Sequence, residues 1–215
     1  MEPPRLLVVA HGTASPTGSA TTAVLVDAIR AARPDHLVEL CFLDVVSPRL
    51  PEVLDAGPTV VVPLLLSTGF HVQTDIPAAV AASPEVRIAR HLGPHPLLVD
   101  ALVDRLGAVG VDDSVLLVGA GSSRPDAADE LAATARLLGV RLDRHVPVST
   151  LGDDVRSRLE ALPQPARVST YLLAEGQFVT TLRAAADELA QVAEPIGVHP
   201  ALVELVWLRY DEVRG

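Results

Sequence analysis

Hydrophobic positions fall in short blocks separated by polar, helix-patterned stretches. Leu6 to Ala10 is a continuous apolar run ending at His11-Gly12, the pattern of a parallel strand covered on both faces. Thr22 to Arg33 has helical spacing and stops at Pro34. Leu37 to Leu43 predicts a second strand, and Ser47-Pro48 reads as the cap of a short helix. Val60 to Leu66 predicts a third strand. The Ser67-Thr68-Gly69 turn follows it, and then a segment from Phe70 onward that contains Pro77. Val86 to Arg90 is a weaker fourth strand and Pro96 to Leu106 a helix. Strand-helix alternation of this kind implies a parallel sheet with helices on both faces.

The pattern then repeats. Leu7-Val8-Val9-Ala10-His11-Gly12 is echoed by Leu116-Leu117-Val118-Gly119-Ala120-Gly121, Gly69-Phe70-His71-Val72 by Gly176-Gln177-Phe178-Val179, and Leu92-Gly93-Pro94-His95-Pro96 by Ile196-Gly197-Val198-His199-Pro200. Three matches in one order indicate a duplicated α/β unit, with halves at 1–110 and 111–215. The second half keeps the glycines and loses both imidazoles: His11 corresponds to Ala120 and His71 to Phe178. One half is therefore expected to carry chemistry and the other to support it. The His95 and His199 turns read as scaffold capping, Cys41 as a buried thiol, and Asp75 as the cap of a helical turn. His36 and His145 read as surface or strand-edge residues, and Trp207 as core or a contact between halves.

Composition narrows the class. The 215 residues suffice for one large domain or two small ones, and 49% are apolar, which excludes disorder. Aromatics are 3%, so Val, Leu and Ala must build the core. The single cysteine excludes an internal disulfide and a multi-cysteine metal cluster. Net charge is −10 and all 17 basic residues are arginine, which argues against nucleic acid and anionic membranes as partners. Neither a leader peptide nor a membrane-length apolar run is visible, and a cytoplasmic protein is the expectation.

In an open parallel sheet, ligands bind beyond the carboxyl ends of the strands. His11 follows the first strand, Asp44 follows the second and His71 lies beyond the third. All three reach one edge if strands one and three are neighbours. Two imidazoles and a carboxylate suit a divalent first-row metal or proton abstraction near neutral pH. The loop amides of Ser67, Thr68 and Gly69 can bind anions. The chain has no nucleophile elbow, no phosphate-binding Gly-Lys-Ser/Thr loop and no Gly-x-Gly-x-x-Gly.

The run Pro63-Leu64-Leu65-Leu66-Ser67-Thr68-Gly69-Phe70-His71-Val72-Gln73-Thr74-Asp75-Ile76-Pro77 resembles the signature of the sirohydrochlorin chelatases. Ala10-His11-Gly12 resembles that family's first histidine motif, and Phe42-Leu43-Asp44 a segment that usually carries glutamate. The resemblance spans the chain. It implies two similar three-layer α/β/α halves, each with a four-stranded parallel sheet, facing each other across a cleft that holds the macrocycle. It further implies that His11 and His71 bind the incoming metal and help remove the pyrrole protons, with Asp44 as a third ligand or proton acceptor. The metal, Fe²⁺ or Co²⁺ with Ni²⁺ as a further candidate, is then a substrate, and no permanent cofactor is implied. Sirohydrochlorin carries eight carboxylates, so local positive charge is needed. Arg124, in Gly121-Ser122-Ser123-Arg124, is the first choice for it, and Arg49 lies near the second strand end. The other reading is a metal or tetrapyrrole carrier on the same fold without turnover. With both halves in one chain, a monomer or weak homodimer is expected.

Overall fold

The computed structural model describes residues 3–54, 57–122 and 124–214. Strand β1 (Arg5–Ala10) is followed by helix α1 (Pro16–Ala32) and strand β2 (Val38–Phe42). Helix α1 begins earlier than its apolar periodicity suggests, because the Ser15 side chain accepts from Gly18 N–H at 3.2 Å and Pro16 occupies the first turn. The short helix α2 (Leu50–Val53) is capped at Arg49 rather than at Ser47, and the Ser47-Pro48 peptide bond is cis. Strand β3 (Thr59–Pro63) is shorter than the apolar run that marks it. Leu64 leaves the strand but still donates its N–H to Val9 O at 2.8 Å, so the apolar stretch covers both the strand and its exit. A π turn (His71–Asp75) and helix α3 (Ile76–Val80) lead to strand β4 (Val86–Ile88) and helix α4 (Pro96–Leu106).

The second series repeats the first. Strand β5 (Ser114–Gly119), helix α5 (Pro125–Leu142), strand β6 (Val148–Thr150), helix α6 (Val155–Glu160) and strand β7 (Ala166–Tyr171) come first. Helix α7 (Gln177–Ala186), strand β8 (Ala190–Val192) and helix α8 (Pro200–Val213) complete it. The strands form two four-stranded sheets, ordered β2-β1-β3-β4 and β6-β5-β7-β8, and every ladder is parallel. On one side of the first sheet Leu7, Val9, Cys41, Leu50, Val61 and Ile76 make a buried cluster. On one side of the second, Leu116, Val118, Leu159, Val168, Val179 and Leu182 do the same. Burial pushes the Cys41 thiol up to about 12, so it is neither a thiolate nucleophile nor a soft metal ligand at neutral pH.

The compact units do not coincide with the halves at 1–110 and 111–215. One unit holds residues 1–92 and 198–215, and the other residues 93–197. Each Gly-x-His-Pro turn marks the change of unit. Helix α4 packs on α5 and β7, while α8 packs on α1 and β3. The turns serve as scaffold, as expected: His95 Nδ1 accepts from Leu97 N–H and His199 Nδ1 from Ala201 N–H, both at 3.2 Å.

Helix α8 is tied into the first unit by side chains that period analysis cannot pair. Trp207 Nε1–H donates to Ile29 O at 3.1 Å and Tyr210 O–H to Pro4 O at 2.6 Å. His36, at the edge of β2, packs edge-on against Trp207 and Tyr210, with ring centroids 5.0 and 5.6 Å away, and is half-buried. Arg209, only 3% exposed, donates to the carbonyls of His91 and Leu92, each at 3.0 Å. Arg209→Ala would strand both carbonyls inside the fold. We expect it to lower the unfolding free energy by about 2–4 kcal/mol, read as a lower urea midpoint, with a loss under about 0.5 kcal/mol contradicting this.

Candidate active site at the carboxyl edge of the first sheet

Strand β1 lies between β2 and β3, so the neighbour relation that the sequence reading presumed holds. Because all ladders are parallel, the chain leaves β1, β2 and β3 at the same edge. The loops are stitched there by backbone bonds: Leu43 N–H to Ala10 O at 3.0 Å, Asp44 N–H to His11 O at 3.0 Å, and Leu92 N–H to Leu65 O at 2.9 Å.

This edge brings His11 and His71 together. Their ring centroids are 4.7 Å apart and the planes stand at 87°. With metal–imidazole bonds of about 2.1 Å, two rings on one ion lie a few ångströms apart, so the pair matches a shared ligand position. His11 is exposed and His71 half-buried, leaving both accessible. The His11 ring turns its Nδ1 toward Gly12 O at 3.3 Å. His71 Nδ1 lies 2.6 Å from Asp75 Oδ2.

His71 opens a π turn rather than a regular α-helix. Pro77 explains the departure: it has no N–H to give to Gln73 O, and its ring crowds that carbonyl. The chain widens ahead of it, and Ile76 N–H donates to His71 O. Such widened turns recur at functional sites. Asp75 stands at the helix boundary, yet its side chain caps nothing there. Its carboxylate goes to His71 instead. Sequence reasoning missed this pair, although the i, i+4 spacing was a usable signal.

Asp44 sits beside His11 through its backbone, but its carboxylate is directed elsewhere. Oδ1 accepts from Val45 N–H at 2.8 Å and lies 3.8 Å from Arg49 Nη2. Among the described residues, no three His, Cys, Asp or Glu side chains converge to hold a metal. The structure thus assembles the two histidines and does not complete the trio. The positive backbone angle at Val45 turns the loop, and the short aspartate side chain is engaged locally before it reaches the rings.

Thr68 is buried and its Oγ1 accepts from Gln73 Nε2 at 3.0 Å, tying the Ser67-Thr68-Gly69 loop to the π turn. Arg49 is where the sequence placed it, next to the end of β2 through a bridge with Phe42. Arg124 belongs to the other unit, at the start of α5 and the carboxyl edge of its own sheet. Its N–H donates to Ser122 Oγ at 3.2 Å and its guanidinium lies 3.9 Å from Asp126. Ser123 of that motif lies outside the described residues. Gly121 after β5 and Gly12 after β1 share a positive φ, +90° and +96°, so the two strand exits have the same local form. Among the described residues, no helix is long and apolar enough to cross a membrane.

Residues 5–109 match the CbiX family model. Over 231 aligned residues the chain is 28% identical to a sirohydrochlorin ferrochelatase of Priestia megaterium, covering 94% of this chain and 87% of that protein. It is 26% identical to a sirohydrochlorin cobaltochelatase of the same organism, covering 96% of this chain and 79% of that protein. The solved structure of SirB from Bacillus subtilis with Fe³⁺ superposes with a TM-score of 0.83 at 25% identity, covering 98% of this chain and 95% of that one. Domain match, relatives along nearly the whole chain and a shared two-sheet fold agree in one direction: the family this chain is similar to is that of the sirohydrochlorin chelatases.

Proposed function

We propose that the protein inserts a divalent metal, Fe²⁺ or Co²⁺, into sirohydrochlorin, the metal being a substrate. The observation that carries this reading is the pairing of His11 and His71 at 4.7 Å on the carboxyl edge of the first sheet. Insertion needs a metal partly stripped of water, two pyrrole N–H protons removed, and ligation loose enough to release the ion. Two imidazoles suit these needs because they leave most coordination positions open, unlike a closed four-ligand site. They also accept protons near neutral pH. Imidazole accommodates iron and cobalt alike, and relatives of near-equal identity are named for each metal.

Asp44 is proposed as a proton acceptor rather than a third ligand, since its carboxylate is held by Val45 N–H. The substrate's carboxylates are proposed to meet Arg124 and the amides of Ser67, Thr68 and Gly69. The second half, with Ala120 and Phe178 at the histidine positions, serves as a degenerate support, and the chain acts as a monomer or a weak homodimer.

The test is anaerobic absorbance spectroscopy of sirohydrochlorin with Co²⁺ or Fe²⁺, beside a no-enzyme blank. Multiple turnovers above the blank are expected, with one metal favoured at limiting concentration. Binding of sirohydrochlorin without acceleration would replace the enzyme by a carrier, and no binding would remove the substrate assignment.

A further inference from the structure

The function proposed above uses the two histidines and leaves Asp75 without a task. We propose that Asp75 is a positioning residue: it holds the His71 ring through Nδ1, so that Nε2 is the nitrogen offered to metal or pyrrole proton. This rests on the reading of His71 as a metal-handling group.

Three observations carry it. First, the Nδ1···Oδ2 distance of 2.6 Å is that of a charge-assisted hydrogen bond, shorter than an ordinary N–H···O contact. A carboxylate accepts and does not donate, so the proton sits on Nδ1 and the lone pair on Nε2. Second, the carboxylate has no capping role at the helix it adjoins. The π turn runs straight into that helix and Asp75 keeps helical backbone angles, so its carboxylate is engaged by the histidine and not by a helix end. Third, both partners lie in one π turn, closed by Ile76 N–H on His71 O ahead of Pro77, so backbone and carboxylate fix the same ring. His11 turns its own Nδ1 toward Gly12 O, and the pair presents two Nε2 atoms by different means. Carboxylate–histidine pairing of this kind orients metal ligands and raises their basicity.

The test uses Asp75→Ala and Asp75→Asn in the full-length protein. Asparagine keeps an acceptor oxygen at the same reach. Long-range ¹H–¹⁵N correlation spectra of the metal-free protein in mildly alkaline solution report the tautomer of His71 directly. The expected result is a pure Nδ1–H form in wild type, a mixture in Asp75→Ala, and recovery of the Nδ1–H form in Asp75→Asn. In parallel, kcat for metal insertion should fall about 10–100-fold in Asp75→Ala. KM for sirohydrochlorin should stay within about twofold, and Asp75→Asn should regain most of kcat. A merely structural role would move neither the tautomer nor kcat at constant KM. Wild-type tautomer and kcat in Asp75→Ala would overturn the proposal. So would Asp75→Asn falling as low as Asp75→Ala with its tautomer intact, since the carboxylate would then act in its own right. If wild type itself inserts no metal, the proposed function fails, while the tautomer spectra still decide whether Asp75 orients His71.

Discussion

On the proposed function, His71→Ala is expected to reduce the rate of metal insertion by at least about a hundredfold, and His11→Ala to do the same, because each would remove both a metal donor and a proton acceptor. Neither change should unfold the protein. His11 is exposed and His71 half-buried, so neither fills a core position whose loss opens a cavity. The circular dichroism spectrum and melting temperature should stay near wild type in both. The double variant should fall little further than either single one, since groups that act as a unit on one step are strongly non-additive. The measurement is the initial rate of the absorbance change at saturating sirohydrochlorin and varied metal. Wild-type rates in either variant would remove these histidines from the chemistry. Loss of the fold in both would make them scaffold residues.

Gly12→Ala is expected to have the largest effect on the scaffold of the site. The residue directly after His11 has φ +96°, a conformation costly for any side chain, and a Cβ there would stand 2.1 Å from Asp44 O. Backbone cannot yield as the tip of a side chain does. The same segment carries the Asp44 N–H to His11 O bond, so a shift of the 44–46 loop displaces His11 itself. Strain and overpacking together should lower the unfolding free energy by about 2–5 kcal/mol. Insertion activity should drop alongside it. Gly69→Ala is the matched control: an added Cβ there meets nothing within 4 Å, and its stability should change by under about 1 kcal/mol. Chemical denaturation of the two variants beside wild type checks the contrast. Equal stabilities for all three would mean that the loop tolerates the side chain.

Much of this molecule was readable before any coordinates. The parallel strands announced themselves as short apolar runs, whereas the place of β1 between β2 and β3, which the site requires, comes from the sheet order. His11 was legible because it ends an apolar run, and His71 because a glycine turn precedes it. The C-terminal echo of the pattern, with Ala120 and Phe178 for the two histidines, gave the asymmetry between the halves. Asp44 was legible as a position and not as a ligand: strand order fixes where a residue sits, but the choice between Val45 N–H and a metal is made by one χ angle. The cap expected at Asp75 failed for a related reason. The residue type and spacing were those of a cap, but Pro77 widened the turn and handed the carboxylate to His71. His36, at the edge of β2, is half-buried against Trp207 and Tyr210, which lie far away in the chain.

The chain by itself therefore determined the α/β alternation, the two parallel sheets and the sheet edge at which the histidines emerge. These follow from short-range periodicity, backbone sterics and the burial of both faces of each strand. Packing settled the rest: which unit α4 and α8 join, how near the two rings stand, where Asp44 and Asp75 direct their carboxylates. The two series of helices offer similar apolar faces, so their sequence does not distinguish one sheet from the other. That choice belongs to contacts such as Arg209 with the carbonyls of His91 and Leu92, which form only when distant parts of the chain are already folded together.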